Sequence, residues 1–281
     1  MFTGRNAVRA APIVAAESEA DKFILLPENG NHAVAIFSDA SETSEWNAPV
    51  MDVPSILPTI PEDFLGRNVD MYEVIRTCCS RRLVTIAGVA GVGKTAVSIA
   101  VAHYLTERGM FRDGVLHVRL HGLRTTEEMR SALAKCFSEY QNAFGGNPTS
   151  AAGAKLASIN PSQDSIFSHV RTRQTLLILD HCDVLLESDA AAFVTFLSNL
   201  LEAAPSVSLL LTARVSLSAL LLQNAESECD GSLSATNDDA RMLRLLSTVG
   251  EKVCTLNPLS DIDAARLLCK RAARRITPEE V

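Results

Sequence analysis

The amino-acid sequence predicts an α/β fold: a parallel sheet of five strands with helices on both faces, followed by the start of a C-terminal helical subdomain. Three observations carry this reading. Short apolar runs at residues 83–87, 115–120, 175–179 and 207–211, with a weaker one at 252–256, have the length and continuity of strands buried on both faces. Segments with helical spacing lie between them, and strands that alternate with helices pair in parallel. The first run ends in a glycine-rich turn, residues 88–93, that leads straight into a helix.

The elements follow in chain order. Residues 1–60 are unassigned: apolar patches at 23–26 and 33–37 flank an Asn29-Gly30-Asn31 turn, as a hairpin or as the tail of another domain. Pro49, Pro54, Pro58 and Pro61 then fix an extended linker. The folded unit is expected from residue 61, with the sheet domain over 61–258 and a truncated helical subdomain over 259–281. In the helix at 94–108, Ala96, Val97, Ile99, Ala100, Ala102, Tyr104 and Leu105 cover more than half the circumference, which suits packing on a sheet. Thr125-Thr126-Glu127-Glu128 is a capping box for a helix to about residue 140. Residues 142–160, rich in Gly, Ser, Asn and Ala, read as a surface insertion. Helices are expected near 166–173 and 190–202, and a mobile acidic loop at 223–239. Ser260-Asp261-Ile262-Asp263 caps a last helix over 264–275.

Composition narrows the function classes. Hydrophobic residues make up 47% of the 281, enough for a sizeable core. The net charge of −7 argues against nucleic acid or an anionic membrane as partner. Arg271, Arg274 and Arg275 read as a solvated helix face. The seven cysteines form no C-x-x-C pair, so neither a disulfide framework nor a zinc site is indicated, and a reducing, cytoplasmic setting is expected. No apolar stretch is long enough for a membrane span, and the N-terminus lacks the apolar core of a secretory signal.

The chemistry concentrates in Gly88-Val89-Ala90-Gly91-Val92-Gly93-Lys94-Thr95, the pattern G-x-x-x-x-G-K-[ST]. Its glycines let the backbone wrap so that N–H groups point into an anion nest. The helix beginning at Lys94, with Ala96 next in line, sets its positive end beneath the phosphates. Lys94 supplies charge for β and γ oxygens, and Thr95 a hydroxyl for Mg²⁺. The strand–turn–helix setting is the one that this P-loop mechanism needs, so ATP or ADP with Mg²⁺ is the expected ligand. Asp180 ends the strand at 175–179 and is placed to hold a water of the Mg²⁺ shell. A second carboxylate often follows in hydrolytic P-loop enzymes, but His181 stands there. Two bases stay open: Asp183 reaching in from the loop, or His181 itself, since an imidazole titrates near pH ~6.5. A metal cage built from Asp180, His181 and Cys182 is disfavoured by the crowding of adjacent residues. Arg214, after the strand at 207–211, reaches a γ-phosphate or merely caps the strand.

Around this loop the sequence resembles the signal-transduction ATPases with numerous domains, the STAND class, and within it the NB-ARC proteins. Phe64-Leu65-Gly66-Arg67 is similar to the "F-[VL]-G-R" motif, Leu176 to Asp180 to the acidic strand motif, Leu210-Leu211-Thr212-Ala213-Arg214 to "L-L-T-[ST]-R", and Leu256-Asn257-Pro258-Leu259 to "L-x-P-L". All stand in the family's order, over about residues 61–276. The resemblance implies an adenine pocket lined by Phe64, Leu65, Gly66 and Arg67, with Pro258 packed on the base. It also implies a switch that holds ADP when closed, exchanges it for ATP, and then opens and associates with itself or with protein partners. His181 in place of the second acid implies slow or absent hydrolysis. The family's winged-helix and sensor segments are not in the sequence, so the chain is expected to be a fragment. The alternative is an ATPase that turns over and does mechanical work, as AAA-type machines do.

Overall fold

The computed structural model describes residues 53–144, 163–220 and 250–272, apart from the side chains of 163–165. The patches at 23–26 and 33–37, the insertion beyond residue 144, the acidic stretch 223–239, Cys229, Arg274 and Arg275 lie outside the described residues.

The described chain runs α1 (Asn68–Ser80), β1 (Leu83–Ala87), α2 (Lys94–Glu107), β2 (Val115–Arg119), α3 (Thr126–Phe144), α4 (Gln163–Val170) and β3 (Leu176–Asp180). It continues through α5 (Asp183–Ser188), α6 (Ala190–Ala203), β4 (Ser208–Ala213), β5 (Lys252–Thr255) and α7 (Asp261–Arg271). The five strands are parallel, in the order β2-β3-β4-β1-β5. The expected architecture is therefore present, and β1 sits inside the sheet between β4 and β5.

Strand alternation sorts the apolar side chains into two cores. Leu83, Leu177, Leu179, Leu209 and Leu211 meet α3, α4 and α6 on one face. Val84, Ile86, Leu176, Ile178 and Leu210 meet α1 and α2 on the other. All five residues of β1 and of β3 are buried, which explains why both read as unbroken apolar runs. The carboxyl ends of β1, β3 and β4 present the P-loop, Asp180 and Arg214 on the same edge of the sheet, as open parallel sheets do for ligands.

Local signals place the helix ends. Thr125 Oγ1 accepts from the Glu128 N–H at 3.2 Å while Glu128 Oε2 accepts from the Thr125 N–H at 3.3 Å, the reciprocal capping box. Ser260 Oγ accepts from the Asp263 N–H at 3.2 Å. Some elements differ from expectation. Helix α3 runs on to Phe144, taking the first residues assigned to the insertion. Helix α7 ends at Arg271, with Ala272 extended, rather than near residue 275. Helix α5 was not foreseen, because six residues are too few to show a helical period.

The proline-rich segment is extended but is not clear of the domain. The Ile56 N–H donates to Val115 O at 3.2 Å, the His117 N–H donates to Ile56 O at 3.1 Å, and Ile56 bridges in parallel to Leu116. Packed contacts thus begin before residue 61, with this segment covering the edge strand β2. No described helix is long and apolar enough to cross a membrane, and the six described cysteines are free.

Candidate nucleotide-binding site

Helix α2 begins directly beyond the glycine turn. Gly91 has φ +78° and Gly93, its N-cap, φ +103°. A Cβ built at either meets nothing within 4 Å. Glycine is needed there for backbone conformation, not for room. The surrounding loop is open, with Val89, Ala90 and Gly91 exposed. Lys94 Nζ donates to Gly88 O at 2.7 Å and to Val89 O at 3.0 Å, so the cation lies across its own loop. Partial burial lowers its pKa, opposed by the nearby Asp183 carboxylate.

Asp180 is fully buried at the end of β3. Its Oδ1 accepts the Thr95 hydroxyl at 2.9 Å and the Thr212 hydroxyl at 2.6 Å. Thr212 also accepts the His181 N–H at 2.9 Å. It lies one step past the last β3–β4 register pair, Leu179 with Leu211, which brings the hydroxyl beside Asp180. Asp180 Oδ2 is buried and has no hydrogen-bond partner among the described residues. Two imidazoles flank that oxygen: His117 Nε2 at 3.7 Å and His181 Nε2 at 3.6 Å. Burial holds His117 below the usual histidine range, opposed by the Asp180 charge.

His181 adopts φ +63°, uncommon without glycine, at the turn from β3 towards α5. Its side chain is 38% exposed, and Nε2 lies 3.2 Å from Thr95 Oγ1. The ring packs edge-on against His121 at 5.3 Å. Asp183, first residue of α5, does not stand free: its Oδ1 accepts the Arg214 N–H at 2.5 Å. The Arg214 side chain lies 3.9 Å from Asp183 and 3.8 Å from Glu187 and is mainly exposed. The two candidate bases are thus placed differently, with His181 against Thr95 and Asp183 tied to the arginine turn.

Arg67 is 6% exposed and its guanidinium makes three hydrogen bonds. Nη1 donates to Asn257 O at 2.7 Å and to Asp70 Oδ2 at 3.0 Å, while Nη2 donates to Val92 O at 2.7 Å. One side chain therefore joins the Phe64–Arg67 motif, the P-loop and the Pro258 motif. The resemblance implies Arg67 in the lining of an adenine pocket; in the structure its guanidinium bridges two backbone segments. Phe64 and Leu65 are half-buried, and Phe64 packs on the α2-side core with Val92. Pro258 is exposed. Gly66, at φ +72°, lies so close to α7 that a Cβ would stand 2.5 Å from the Asp263 carboxyl carbon.

The donor set fits Mg²⁺. Thr95 and Asp180 give adjacent oxygens, and Asp180 Oδ2 is a buried acceptor with nothing bound to it. Mg²⁺ takes one or two protein oxygens and completes its shell with phosphates and water. Among the described residues no group of three or more His, Cys, Asp and Glu is arranged to hold a metal without such help.

The chain is similar to several known proteins. The family model of the NACHT domain matches residues 82–272. A Walker-type ATPase of Pyrococcus abyssi superposes with a TM-score of 0.51 at 15% identity, over 80% of this chain and 63% of that one. A Pyrococcus horikoshii protein of the STAND class, with a tetratricopeptide repeat sensor, gives a TM-score of 0.43 at 16% identity over 83% and 28%. A protein of Mycobacterium tuberculosis that carries the name of an HTH-type transcriptional regulator is 29% identical over 133 residues, which is 47% of this chain and 12% of that protein. The chain therefore spans a small part of the curated relatives it matches. With the P-loop, the acidic strand end and the matched span in agreement, the chain belongs to the NACHT domain family of STAND-class P-loop NTPases and binds nucleotide.

Proposed function

We propose that this chain is the nucleotide-operated switch of a larger signalling protein, acting in the NB-ARC-like manner. It holds ADP or ATP with Mg²⁺, and the identity of the nucleotide sets the position of the C-terminal helical segment. The observation that carries this is Arg67, which ties the P-loop at Val92 O to Asn257 O, four residues before α7. A shift of the P-loop on the third phosphate is therefore felt at α7. The close approach of Gly66 to Asp263, the Arg271 ion pair with Asp63, and Lys270 Nζ donating to Glu62 O at 2.6 Å join the segment around Arg67 directly to α7.

In this reading Lys94 leaves the Gly88 and Val89 carbonyls to pair with β and γ oxygens. The loop N–H groups and the start of α2 hold the phosphates. Thr95 and Asp180 hold Mg²⁺, which when bound neutralises charge on the phosphates. Phe64, Leu65 and Gly66 with Pro258 take the adenine. Arg214 reports the γ-phosphate from the turn that Asp183 fixes. Protein partners or further copies of the chain are engaged through the open state. Nucleic acid is not an expected partner of this segment, on its net charge of −7. The free thiols suit a reducing, cytoplasmic setting.

The test is calorimetry with hydrogen exchange. The unmodified chain is expected to bind ATP and ADP and to prefer ATP to GTP. Lys94→Ala is expected to weaken both adenine nucleotides about tenfold or more, as loss of a charge-assisted contact does. Exchange at α7 amides should differ between the ADP and ATP states. Equal protection of α7 in the two states would sink the switch, and equal affinity for ATP and GTP would sink the adenine pocket.

A further inference from the structure

Strand β2 places a histidine where burial asks for an apolar residue. His117 pairs in register with Ile178, between Val115 and Arg119, and its side chain is only 5% exposed. A buried imidazole is costly unless its polar atoms are used. Yet among the described residues Nε2 has no hydrogen-bond partner, and the polar atom facing it, Asp180 Oδ2, has none either. Two orphaned buried atoms of complementary kind thus face each other at 3.7 Å.

We infer that His117 is a positioning residue for Asp180, donating from Nε2–H to the free carboxylate oxygen when the site holds Mg²⁺ and nucleotide. The inference rests on the nucleotide-site reading above and adds a residue that none of the motifs contains. The Asp180 inventory supports it. Oδ1 already accepts two hydroxyls, from Thr95 and Thr212, so the carboxylate is pinned at one oxygen and can still turn about that anchor. A donor on Oδ2 fixes the plane. Carboxylates that hold metals or their waters are themselves held by such outer hydrogen bonds. Closing the gap to hydrogen-bond range takes a shift of about 0.5 Å, within ordinary side-chain displacement.

His181 does not serve equally. Its Nε2 is 3.6 Å from the same oxygen, but it has the Thr95 hydroxyl at 3.2 Å and a side chain open to water. Among the described residues, His117 Nε2 has no such alternative. It acts through Asp180 and touches no ligand itself.

The experiment titrates the full 281-residue chain with ATP by calorimetry, in Mg²⁺ and in EDTA. It compares the unmodified protein with His117→Leu, His117→Gln, His117→Asn and Lys94→Ala. His117→Leu is expected to lose about tenfold or more of the Mg²⁺-dependent gain in affinity and nothing in EDTA. His117→Gln, whose amide nitrogen reaches the place of Nε2, should keep most of the gain. His117→Asn, too short to reach, should lose it. Melting of the ligand-free proteins shows which variants fold. If His117→Leu does not, the Gln and Asn pair decides. An unchanged Mg²⁺ gain in His117→Leu or His117→Asn overturns the inference. So does an equal loss with and without Mg²⁺, which marks a merely structural role. Failure of Lys94→Ala to weaken binding removes the nucleotide reading as well. A loss in Lys94→Ala beside unchanged His117 variants removes this inference alone.

Discussion

At Asp180 Oδ1 two hydroxyls arrive together, from Thr95 on the P-loop helix and Thr212 at the end of β4. Thr212 does two jobs, since the same oxygen accepts the His181 N–H and so holds a left-handed residue in place. Thr212→Val keeps the shape and removes both contacts. It leaves a buried N–H and a less supported buried carboxylate, which should cost about 1–3 kcal/mol. Thr212→Ser keeps the oxygen and should cost well under half of that. Denaturant unfolding of the three proteins checks the ranking, and equal stability of Thr212→Val and the unmodified chain would show that water replaces the hydroxyl.

Among the elements, Arg67 turns three motifs into one unit. Arg67→Ala leaves Val92 O and Asn257 O without their donor and Asp70 without its partner. The expected loss is about 2–4 kcal/mol, with proteolysis or exchange revealing looser α7 amides before the sheet unfolds. Arg67→Lys should not rescue it, because an ammonium cannot span two carbonyls as a planar fork does. Full rescue by lysine would mean that charge, not geometry, holds the motifs together.

The same residue shows where the sequence was legible and where it was not. Strands, P-loop and caps rest on local signals: apolar runs, glycines at positive φ, Thr125 with Glu128. The arrival of Thr212 and His117 beside Asp180 depends on strand order. Strand β3 lies between β2 and β4, and no spacing along the chain states this. The Arg67 motif was visible but the contacts of its guanidinium were not, because the partners are backbone carbonyls 25 and 190 residues away. Ile56 hid inside a proline-rich stretch because pairing to an edge strand needs little sequence pattern.

For the whole molecule the question is whether the site is a switch or an engine, and turnover separates them. Hydrolysis needs a base within hydrogen-bond reach of the attacking water. Asp183, one candidate, is committed to the Arg214 N–H, and leaving it would release the turn that aims Arg214. His181, the other, meets Thr95 with the nitrogen that a base would use. Arg214 is largely in solvent, and its ion pairs with Asp183 and Glu187 are long and exposed, worth little in themselves. Phosphates can therefore be held firmly while the water is poorly directed. The unmodified chain should release phosphate far more slowly than the roughly 1–10³ s⁻¹ of ordinary enzymes. His181→Asp should speed release by about tenfold or more, since it restores a carboxylate next to Asp180, at a turn where Asp tolerates positive φ. Asp183→Ala should leave the slow rate nearly unchanged and weaken ATP binding relative to ADP binding through the freed Arg214 turn. The measurement is phosphate release by the three proteins at saturating ATP. Fast release by the unmodified chain, abolished in Asp183→Ala, would make Asp183 the base and the molecule an engine.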